Sequence, residues 1–338
     1  MEHEALHYKK LKNKKVHCQL CPRFCTISPD EYGDCKARKN IDGKLYAMVY
    51  AKPISVAVDP IEKKPLFHFL PGTDAYSIGT TGCNLHCLFC QNSSTSQAYP
   101  EDLPGIYMAP EDVVKNALKE NCKIIAYTYN EPTIFYEYVY DTAILAKKKK
   151  LKNIMVTNGF INPEPVKELY KYIDAANVDL KGFTEEYYKN VCFARLKPVL
   201  ETLKLLHKMN IWLEITNLII PGLNDDMKKI KEMCEWIKKN LGINYPLHFS
   251  RFYPCYKMMD RQPTPYETLN KAHDIAKKVG LKYVYVGNVQ EDKYNHTYCY
   301  KCSETIIKRS SFFEIKENNL KNGKCPKCKT KIEGIWRD

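Results

Sequence analysis

The 338-residue chain contains three closely spaced cysteines, Cys83, Cys87 and Cys90. Their spacing is the feature of the sequence that points most directly to a chemical function. They stand in the segment Gly82–Asn92. A [4Fe-4S] cluster usually carries one thiolate on each of its four irons. Three cysteines on one loop cap three irons and leave the fourth open. The spacing therefore predicts an iron–sulfur centre that binds a further molecule.

S-adenosylmethionine (SAM) can fill the open position through its amino nitrogen and carboxylate. One electron from the cluster then cleaves the sulfonium and gives a 5′-deoxyadenosyl radical, which takes a hydrogen atom from a substrate. The alternative is a zinc knuckle completed by a fourth cysteine from elsewhere. The Cys-x3-Cys-x2-Cys order, with Phe89 before the third cysteine, favours the cluster and SAM.

Strand-like and helix-like segments alternate from about residue 75 to residue 287. This alternation predicts a parallel sheet, and six or seven such units predict an α/β fold with a partial or full (β/α) barrel. The predicted strand Tyr76–Thr81 runs into the central cysteines, and loops at strand carboxyl ends carry the chemistry of such folds. Four polar residues lie at or just past other predicted strand ends: Glu131, Asn158, Asp179 and Lys181.

The cysteine groups divide the chain into four predicted regions. Residues 1–45 form a Cys-rich segment, and residues 46–75 a lead-in with a β-hairpin made of Leu45–Tyr50 and Ile54–Val58. Residues 76–287 form the barrel, and residues 288–338 form a zinc ribbon.

Two further groups of four cysteines flank the barrel. Cys299, Cys302, Cys325 and Cys328 form two Cys-x2-Cys knuckles, which predict a tetrahedral zinc site more readily than an auxiliary iron–sulfur cluster. A ribbon this small depends on its metal for folding energy.

The amino-terminal group is ambiguous from its spacing. Its members are Cys18, Cys21, Cys25 and Cys35. Cys-x2-Cys-x3-Cys-x9-Cys suits either zinc or an auxiliary cluster that relays electrons or binds substrate. Both interpretations stay open.

Composition sets the wider limits. The net charge of +13 lies largely in short lysine runs such as Lys147–Lys150, which are typical of solvated helix faces, so a nucleic-acid partner is the minor alternative. The chain has 15 cysteines, no apolar run near 20 residues and no apolar signal core at its start. These features favour metal ligation over disulfides and predict a cytoplasmic protein without a membrane anchor.

Several stretches besides the central cysteines resemble a known family. The segment Gly82–Asn92 and the strand–loop order after it resemble radical SAM enzymes of the glycyl-radical-activase type, such as pyruvate formate-lyase activating enzymes. Almost the whole chain resembles the family called AmmeMemoRadiSam system radical SAM enzyme. The stretches that carry this resemblance are Cys18–Cys25, Asp59–His68, Gly82–Asn92, Ala126–Pro132, Val156–Gly159, Val178–Lys181, Ile220–Asp225 and Tyr283–Asn288. The resemblance implies an electron donor, and Memo-type and AMMECR-type proteins as partners, but it defines no substrate.

The resemblance also implies roles for polar residues. Glu131 stands where activases have Gly-Gly-Glu-Pro and would receive the ammonium of SAM; here the motif is Tyr-Asn-Glu-Pro, so Asn130 is an alternative ligand. Asn92 would contact SAM. Asp179 and Lys181 match the activase Asp-Leu-Lys, with an ordinary internal ion pair as the alternative.

Three further positions are less defined. Activases have an aspartate where this chain has Val156, and Asn158 is its expected substitute. His248 resembles a late histidine that reaches the cofactor, although a buried structural histidine fits equally well. Cys192 and Cys255 are candidates for a substrate-side thiol or hydrogen donor, or else small apolar residues.

Three functions follow from these features. The leading one is a radical SAM enzyme that abstracts hydrogen from a protein or small-molecule substrate, with an activase variant acting on a glycine of a partner protein. The second is the same chemistry on RNA, and the third is a non-catalytic zinc-ribbon interaction protein. The complete set of central cysteines argues against the third.

Overall fold

The computed structural model describes residues 3–290, 292–310 and 313–336. The amino-terminal region folds as two small antiparallel sheets, one of three strands and one of two. Their strands are β1 (Tyr8–Lys10), β2 (Val16–Cys18), β3 (Thr26–Ile27), β4 (Arg38–Ile41) and β5 (Lys44–Ala47).

An eight-stranded sheet forms the centre of the molecule. Its strands are β6 (Ser55–Pro60), β7 (Asp74–Gly79), β8 (Ile124–Tyr127), β9 (Lys152–Thr157), β10 (Ala175–Asp179), β11 (Trp212–Ile219), β12 (Leu247–Arg251) and β13 (Val284–Gly287). They lie side by side in chain order, with β6 antiparallel and β7 to β13 parallel. In the described ranges β6 and β13 do not pair with each other. The prediction of an α/β fold is confirmed, in the form of a partial barrel.

Eight α-helices lie between and beside the strands in the described residues, and the longer ones pack against the sheet. The helices are α1 (Ser93–Ser96), α2 (Pro110–Lys119), α3 (Tyr136–Lys148), α4 (Pro163–Leu169), α5 (Glu185–Tyr187), α6 (Leu196–Lys208), α7 (Met227–Leu241) and α8 (Tyr266–Val279). Strand β8 is buried along its whole length, as expected for a parallel strand covered on both faces. Helix α6 buries Val199, Leu203 and Leu206, a spacing of three and four residues that makes one apolar face. None of the described helices is long and apolar enough to cross a bilayer.

The predicted hairpin in the lead-in is wrong. Strand β5 pairs with β4, whereas β6 pairs with β7 over six positions. Between the two, Ala51 has a φ of 54° and Pro53 cannot donate a ladder hydrogen bond, so the chain turns away instead of folding back. The central sheet consequently begins at residue 55, inside the region expected to precede it.

The carboxyl-terminal region is a three-stranded antiparallel sheet made of β14 (Thr297–Tyr298), β15 (Thr305–Arg309) and β16 (Ile315–Asn318). It shares a buried core with the lead-in and the last barrel strand, in which Phe67, Tyr283 and Tyr285 meet Cys299 and Ile307. Tyr283 directly precedes β13. The ribbon therefore packs near the amino ends of the parallel strands, away from the edge where the strands end.

A buried arginine anchors this contact. The Arg309 guanidinium lies 4.4 Å from the Phe67 ring centre, donates to the Phe67 carbonyl at 2.8 Å and lies 3.4 Å from Glu62. Because each partner is buried, the ribbon is an integral part of the fold and not a loosely tethered appendage.

Candidate active site

The loop after β7 carries the central cysteines and is fixed by its own backbone. Gly82 has a φ of +91°, and a Cβ placed there would lie 2.5 Å from the Cys35 carbonyl oxygen, so only glycine fits. The His86 N–H donates to the Cys192 carbonyl at 3.2 Å and the Leu88 N–H to the Val191 carbonyl at 3.0 Å. These bonds hold the loop against the turn that ends at Cys192.

The three cysteines open into one cavity at the carboxyl ends of the parallel strands. The cavity has a volume of about 240 Å³. Its lining residues are Cys83, Leu85, Cys87, Phe89, Cys90, Gln91, Asn92, Ser96, Tyr129, Asn130, Asn158, Asp179, Lys181, Thr216, Leu218, Ser250 and Asn288. The structure thus brings together the cysteines and five of the polar residues singled out from the sequence: Asn92, Asn130, Asn158, Asp179 and Lys181.

The donor set suits a cluster with one open iron. Three thiols face the cavity, and no fourth cysteine lines it among the described residues. The Leu85 N–H points at the Cys83 sulfur at 3.4 Å, and the Ser96 hydroxyl lies 3.2 Å from the Cys90 sulfur. Such hydrogen bonds suit thiolate ligands of an iron–sulfur cluster. Cys83, Cys87 and Cys90 are the residues that would hold it.

Asn92 and Asn158 both line the cavity. The Asn92 amide donates to the Tyr129 carbonyl. The Asn158 amide nitrogen donates to Asn84 at 2.9 Å and lies 3.9 Å from the Cys83 sulfur. Both side chains are therefore held beside the cluster position.

Asp179 and Lys181 form a 2.9 Å ion pair at the end of β10, on the cavity wall. Burial alone would lower the pKa of Lys181, but the negative charges of Asp179 and of the nearby thiolates of Cys87 and Cys192 raise it well above its usual value. Lys181 is thus a fixed cation beside the cysteines, and the half-buried Asp179 also lines the cavity.

Glu131 is fully buried and does not line the cavity, and its expected contact with SAM stays a prediction. One carboxylate oxygen accepts from the Thr133 N–H at 2.9 Å and the Thr157 hydroxyl at 2.7 Å, and the other accepts from the Asn158 N–H at 2.7 Å. The pKa of Glu131 is raised, because the effect of burial exceeds the opposite effect of these three hydrogen bonds. Its role here is to hold neighbouring loops, and Asn130 lines the cavity in its place.

His248 has the surroundings of a buried structural histidine, one of the two interpretations that the sequence left open, and its contact with the cofactor stays a prediction. Its Nε2 lies 2.7 Å from Glu214, and its ring stacks on Tyr285 at 5.1 Å between centres. It is absent from the cavity lining, whereas Ser250, two residues further along the same face of β12, is present. The histidine therefore lies one layer below the cavity, near the ribbon.

The two isolated cysteines lie close to the cluster loop but outside the cavity lining. Cys192 is fully buried, and its hydrogen bond with Cys87 lowers the pKa of Cys87. The Cys255 sulfur lies 3.1 Å from the Phe89 carbonyl. A hydrogen-donor role for either thiol stays a prediction.

Sequence reasoning missed part of the cavity wall. The residues it did not single out include Thr216, Leu218, Ser250 and Asn288. Thr216 and Leu218 are two residues apart on β11 and so lie on the same face of that strand, and Asn288 directly follows β13. The rule that selected Asp179 and Lys181, a polar residue at a strand end, would have found Ser250 and Asn288.

The two flanking cysteine groups differ in geometry. The sulfurs of Cys299 and Cys328 are 3.5 Å apart and those of Cys302 and Cys325 are 3.7 Å apart, and all four ligand atoms lie within 4.8 Å of one another. In the part of the chain that the structure describes, no such set arises from the amino-terminal or central cysteines.

Comparisons with known proteins agree with this architecture. The Radical SAM superfamily model matches residues 77–237. An uncharacterized protein of Methanocaldococcus jannaschii is 47% identical over 331 residues, which cover 98% of each chain. Pyruvate formate-lyase 1-activating enzyme of Escherichia coli K12 is 23% identical over 223 residues, 60% of this chain and 89% of that enzyme.

Solved structures support the same fold. SuiB of Streptococcus suis bound to S-adenosylmethionine has a TM-score of 0.51 at 14% identity, covering 68% of this chain and 53% of that one. A radical SAM methyltransferase from Sphaerobacter thermophilus has a TM-score of 0.51 at 13% identity, covering 65% and 68%. Together with the three cysteines in one cavity at the strand ends, these comparisons show that the chain belongs to the radical SAM superfamily, whose members use a [4Fe-4S] cluster and SAM.

Proposed function

We propose that this protein reductively cleaves SAM and abstracts a hydrogen atom from a substrate. The main support is that Cys83, Cys87 and Cys90 line the same cavity as Asn92 and Asp179. When bound, the cluster supplies the electron that splits SAM into methionine and a 5′-deoxyadenosyl radical.

The residues of the chain position and shield this chemistry. The Asp179 carboxylate can accept hydrogen bonds from the ammonium or ribose of SAM, and the Asn92 and Asn130 amides face the same space. The Lys181 ammonium balances the negative charge of the thiolates. Leu85 and Leu218 give the cavity apolar walls that exclude water.

The rim of the cavity favours a protein segment as the substrate. The loop after β12 carries the exposed side chains of Tyr253, Tyr256 and Met259, and Met259 is 68% exposed. Its Lys257 N–H donates to the Leu88 carbonyl at 3.0 Å, so this loop lies directly on the cluster loop. Exposed aromatic and methionine side chains beside an active site are typical of protein-binding surfaces.

The activase variant takes support from similarity to pyruvate formate-lyase activating enzymes. In that variant the abstracted hydrogen comes from a glycine of a partner protein. The AmmeMemoRadiSam assignment rests on the matching stretches of sequence, and it makes Memo-type and AMMECR-type proteins the first partners to test. A reduced one-electron carrier must supply the electron.

SAM cleavage is testable with purified protein. Anaerobically reconstituted enzyme is incubated with SAM and dithionite, and 5′-deoxyadenosine is measured by liquid chromatography. Cys87→Ala should lose at least 100-fold in rate, whereas the control Cys122→Ala, a buried cysteine outside the cavity, should retain the wild-type rate. Equal rates for wild type and Cys87→Ala would contradict the proposal.

The substrate class needs a second experiment. Deuterium transfer into 5′-deoxyadenosine is measured after adding the protein fraction or the small-molecule fraction of a cell extract grown on deuterated medium. A protein substrate predicts transfer from the protein fraction, and a glycyl product adds a stable radical signal in electron paramagnetic resonance (EPR) spectra. Transfer from the small-molecule fraction alone would exclude the protein substrate.

We further propose that the carboxyl-terminal cysteines hold zinc. Four sulfurs at about 2.3 Å from a tetrahedral ion lie about 3.8 Å apart. The observed separations of 3.5 and 3.7 Å are close to this value. Because the ribbon lies near the amino ends of the barrel strands, its metal would stabilise the fold and take no part in the reaction.

A further inference from the structure

The four amino-terminal cysteines form a buried group next to the radical SAM site. Cys18, Cys21 and Cys35 are buried and Cys25 is half-buried. Cys18 ends β2, and its N–H donates to the Cys25 carbonyl at 2.9 Å. The four thiols are therefore gathered in one small region and are not scattered over the surface.

The spacing of these sulfurs argues against a single tetrahedral ion. The carboxyl-terminal group closes to sulfur–sulfur distances of 3.5 and 3.7 Å. Within the described residues, no three of the amino-terminal sulfurs come within 4.8 Å of one another, and the same holds for the central cysteines. Among the described residues, the carboxyl-terminal cysteines alone therefore form a group as compact as a zinc site. A wider spacing suits a cubane, in which each thiolate binds a different iron.

The surroundings of the sulfurs match those of the central cluster loop. The backbone N–H groups of Arg23, Asp34 and Ala37 lie near the sulfurs of Cys21, Cys25 and Cys35 and lower the pKa of these thiols against the effect of burial. At the central loop the Leu85 N–H plays the same part toward Cys83. Hydrogen bonds to the sulfurs are a general means of stabilising iron–sulfur clusters.

A buried cation completes the site. Arg38 is 1% exposed, pairs with the buried Glu137 and has a terminal nitrogen 3.9 Å from the Cys18 sulfur. Its Nε has no acceptor within the described part of the chain. An unsatisfied buried donor costs about 1–3 kcal/mol. A cluster would bring sulfides as further hydrogen-bond acceptors to this buried site, whereas a zinc ion brings none.

The group also lies against the SAM-binding loop. The Cys35 carbonyl lies where a side chain on Gly82 would stand, next to Cys83. The Arg23 Nε donates to the Asn84 carbonyl at 2.9 Å. The two cysteine groups are consequently joined by one backbone contact and one side-chain-to-backbone hydrogen bond.

From these observations we propose that Cys18, Cys21, Cys25 and Cys35 bind a second [4Fe-4S] cluster next to the SAM-binding cluster. The proposal is independent of the substrate and of SAM cleavage. In the reduced enzyme, each cluster would accept one electron from a one-electron reductant such as dithionite.

The test counts metal in the full-length protein. Wild-type enzyme, reconstituted anaerobically, should hold about eight irons, about eight sulfides and one zinc per chain. A Cys83→Ala, Cys87→Ala, Cys90→Ala variant cannot cleave SAM, yet it should keep about four irons and show a reduced-cluster EPR signal. Adding Cys18→Ala and Cys21→Ala to this variant should abolish both the remaining iron and the EPR signal. As a control, Cys234→Ala, which replaces a buried cysteine far from these groups in sequence, should leave the iron content and the EPR signal unchanged.

Two results would overturn the proposal. One is that the variant with Cys83, Cys87 and Cys90 replaced by alanine holds no more iron than the variant in which Cys18 and Cys21 are replaced as well. The other, which requires no variant, is wild-type enzyme with about four irons and two zincs per chain. Because both readouts are metal counts, they separate failure of this proposal from failure of the proposed reaction.

Discussion

The contact between Gly82 and the Cys35 carbonyl gives a direct test of how the two cysteine regions depend on each other. In Gly82→Ala, the new Cβ would lie 2.5 Å from that oxygen and 3.3 Å from the Ala37 Cβ. An ordinary contact begins at 3.4 Å, so the Cys35 backbone or the cluster loop must move by about 0.9 Å. Ligand distances in metal sites hold to about 0.2 Å, so this shift exceeds what a cluster site tolerates.

A second glycine separates this effect from backbone strain. Gly242 has a φ of +90°, close to the +91° of Gly82, but a Cβ added to Gly242 would meet no atom within 4 Å. In either alanine variant the positive φ costs about 1–3 kcal/mol. Only Gly82→Ala adds a steric clash to that strain.

The assay compares iron content and SAM cleavage of the two variants after anaerobic reconstitution. Gly242→Ala should match wild type in both, with a lower melting temperature. Gly82→Ala should lose at least half of its iron and at least tenfold in cleavage rate. Wild-type iron content and cleavage rate in Gly82→Ala would refute the coupling of the two regions.

Three further predictions concern single residues. Lys181→Met removes the cation beside Cys87, so it should lower the reduction potential of the cluster and slow SAM cleavage at least tenfold. A reduction potential that is unchanged in an EPR-monitored titration would contradict this prediction. Burial lowers the pKa of His68 from 6.5 to about 4. Between pH 6.5 and pH 4 the unfolded chain therefore binds more protons than the folded protein, and the folded protein loses stability as the pH falls through this range. Between pH 7.5 and pH 5, the free energy of unfolding measured with urea should therefore fall by about 2 kcal/mol more in wild type than in His68→Gln. An equal fall in the two proteins would exclude the effect. Cys302→Ser should release the ribbon zinc and lower the melting temperature while the absorbance of the central cluster persists, and retained zinc would argue against the ribbon site.

Features set by local spacing were predictable from the sequence. The positions of Cys83, Cys87 and Cys90 on one loop follow from their separation in the chain. The parallel sheet follows from alternating strands and helices, and it places Asp179 and Lys181 at the cavity because side chains two apart on a strand share a face.

Features set by distant contacts were not predictable in the same way. His248 faces the barrel interior, but its layer is decided by its pairing with Glu214, which is 34 residues away. Glu131 follows a strand as expected, yet Thr157 at the end of β9 and Asn158 directly after it donate to its carboxylate. Both residues match a family motif, while their contacts depend on neighbours that no local pattern specifies.

Strand partners and sulfur spacing show the same limit. Strand β6 has the composition of a hairpin strand, and its partner β7 becomes evident only in the folded sheet. The amino-terminal cysteines have sequence spacings that allow zinc or a cluster. The packing of the whole region sets the separation of their sulfurs, and no local pattern in the sequence specifies it.

The proposed reaction depends above all on SAM binding to the open iron of a cluster held by Cys83, Cys87 and Cys90. Electron–nuclear double resonance of the reduced enzyme with SAM carrying a ¹⁷O-labelled carboxylate measures this contact directly. We expect a ¹⁷O hyperfine coupling to the cluster, absent from the Cys87→Ala variant. A reduced cluster that binds SAM without any ¹⁷O coupling would contradict this binding mode.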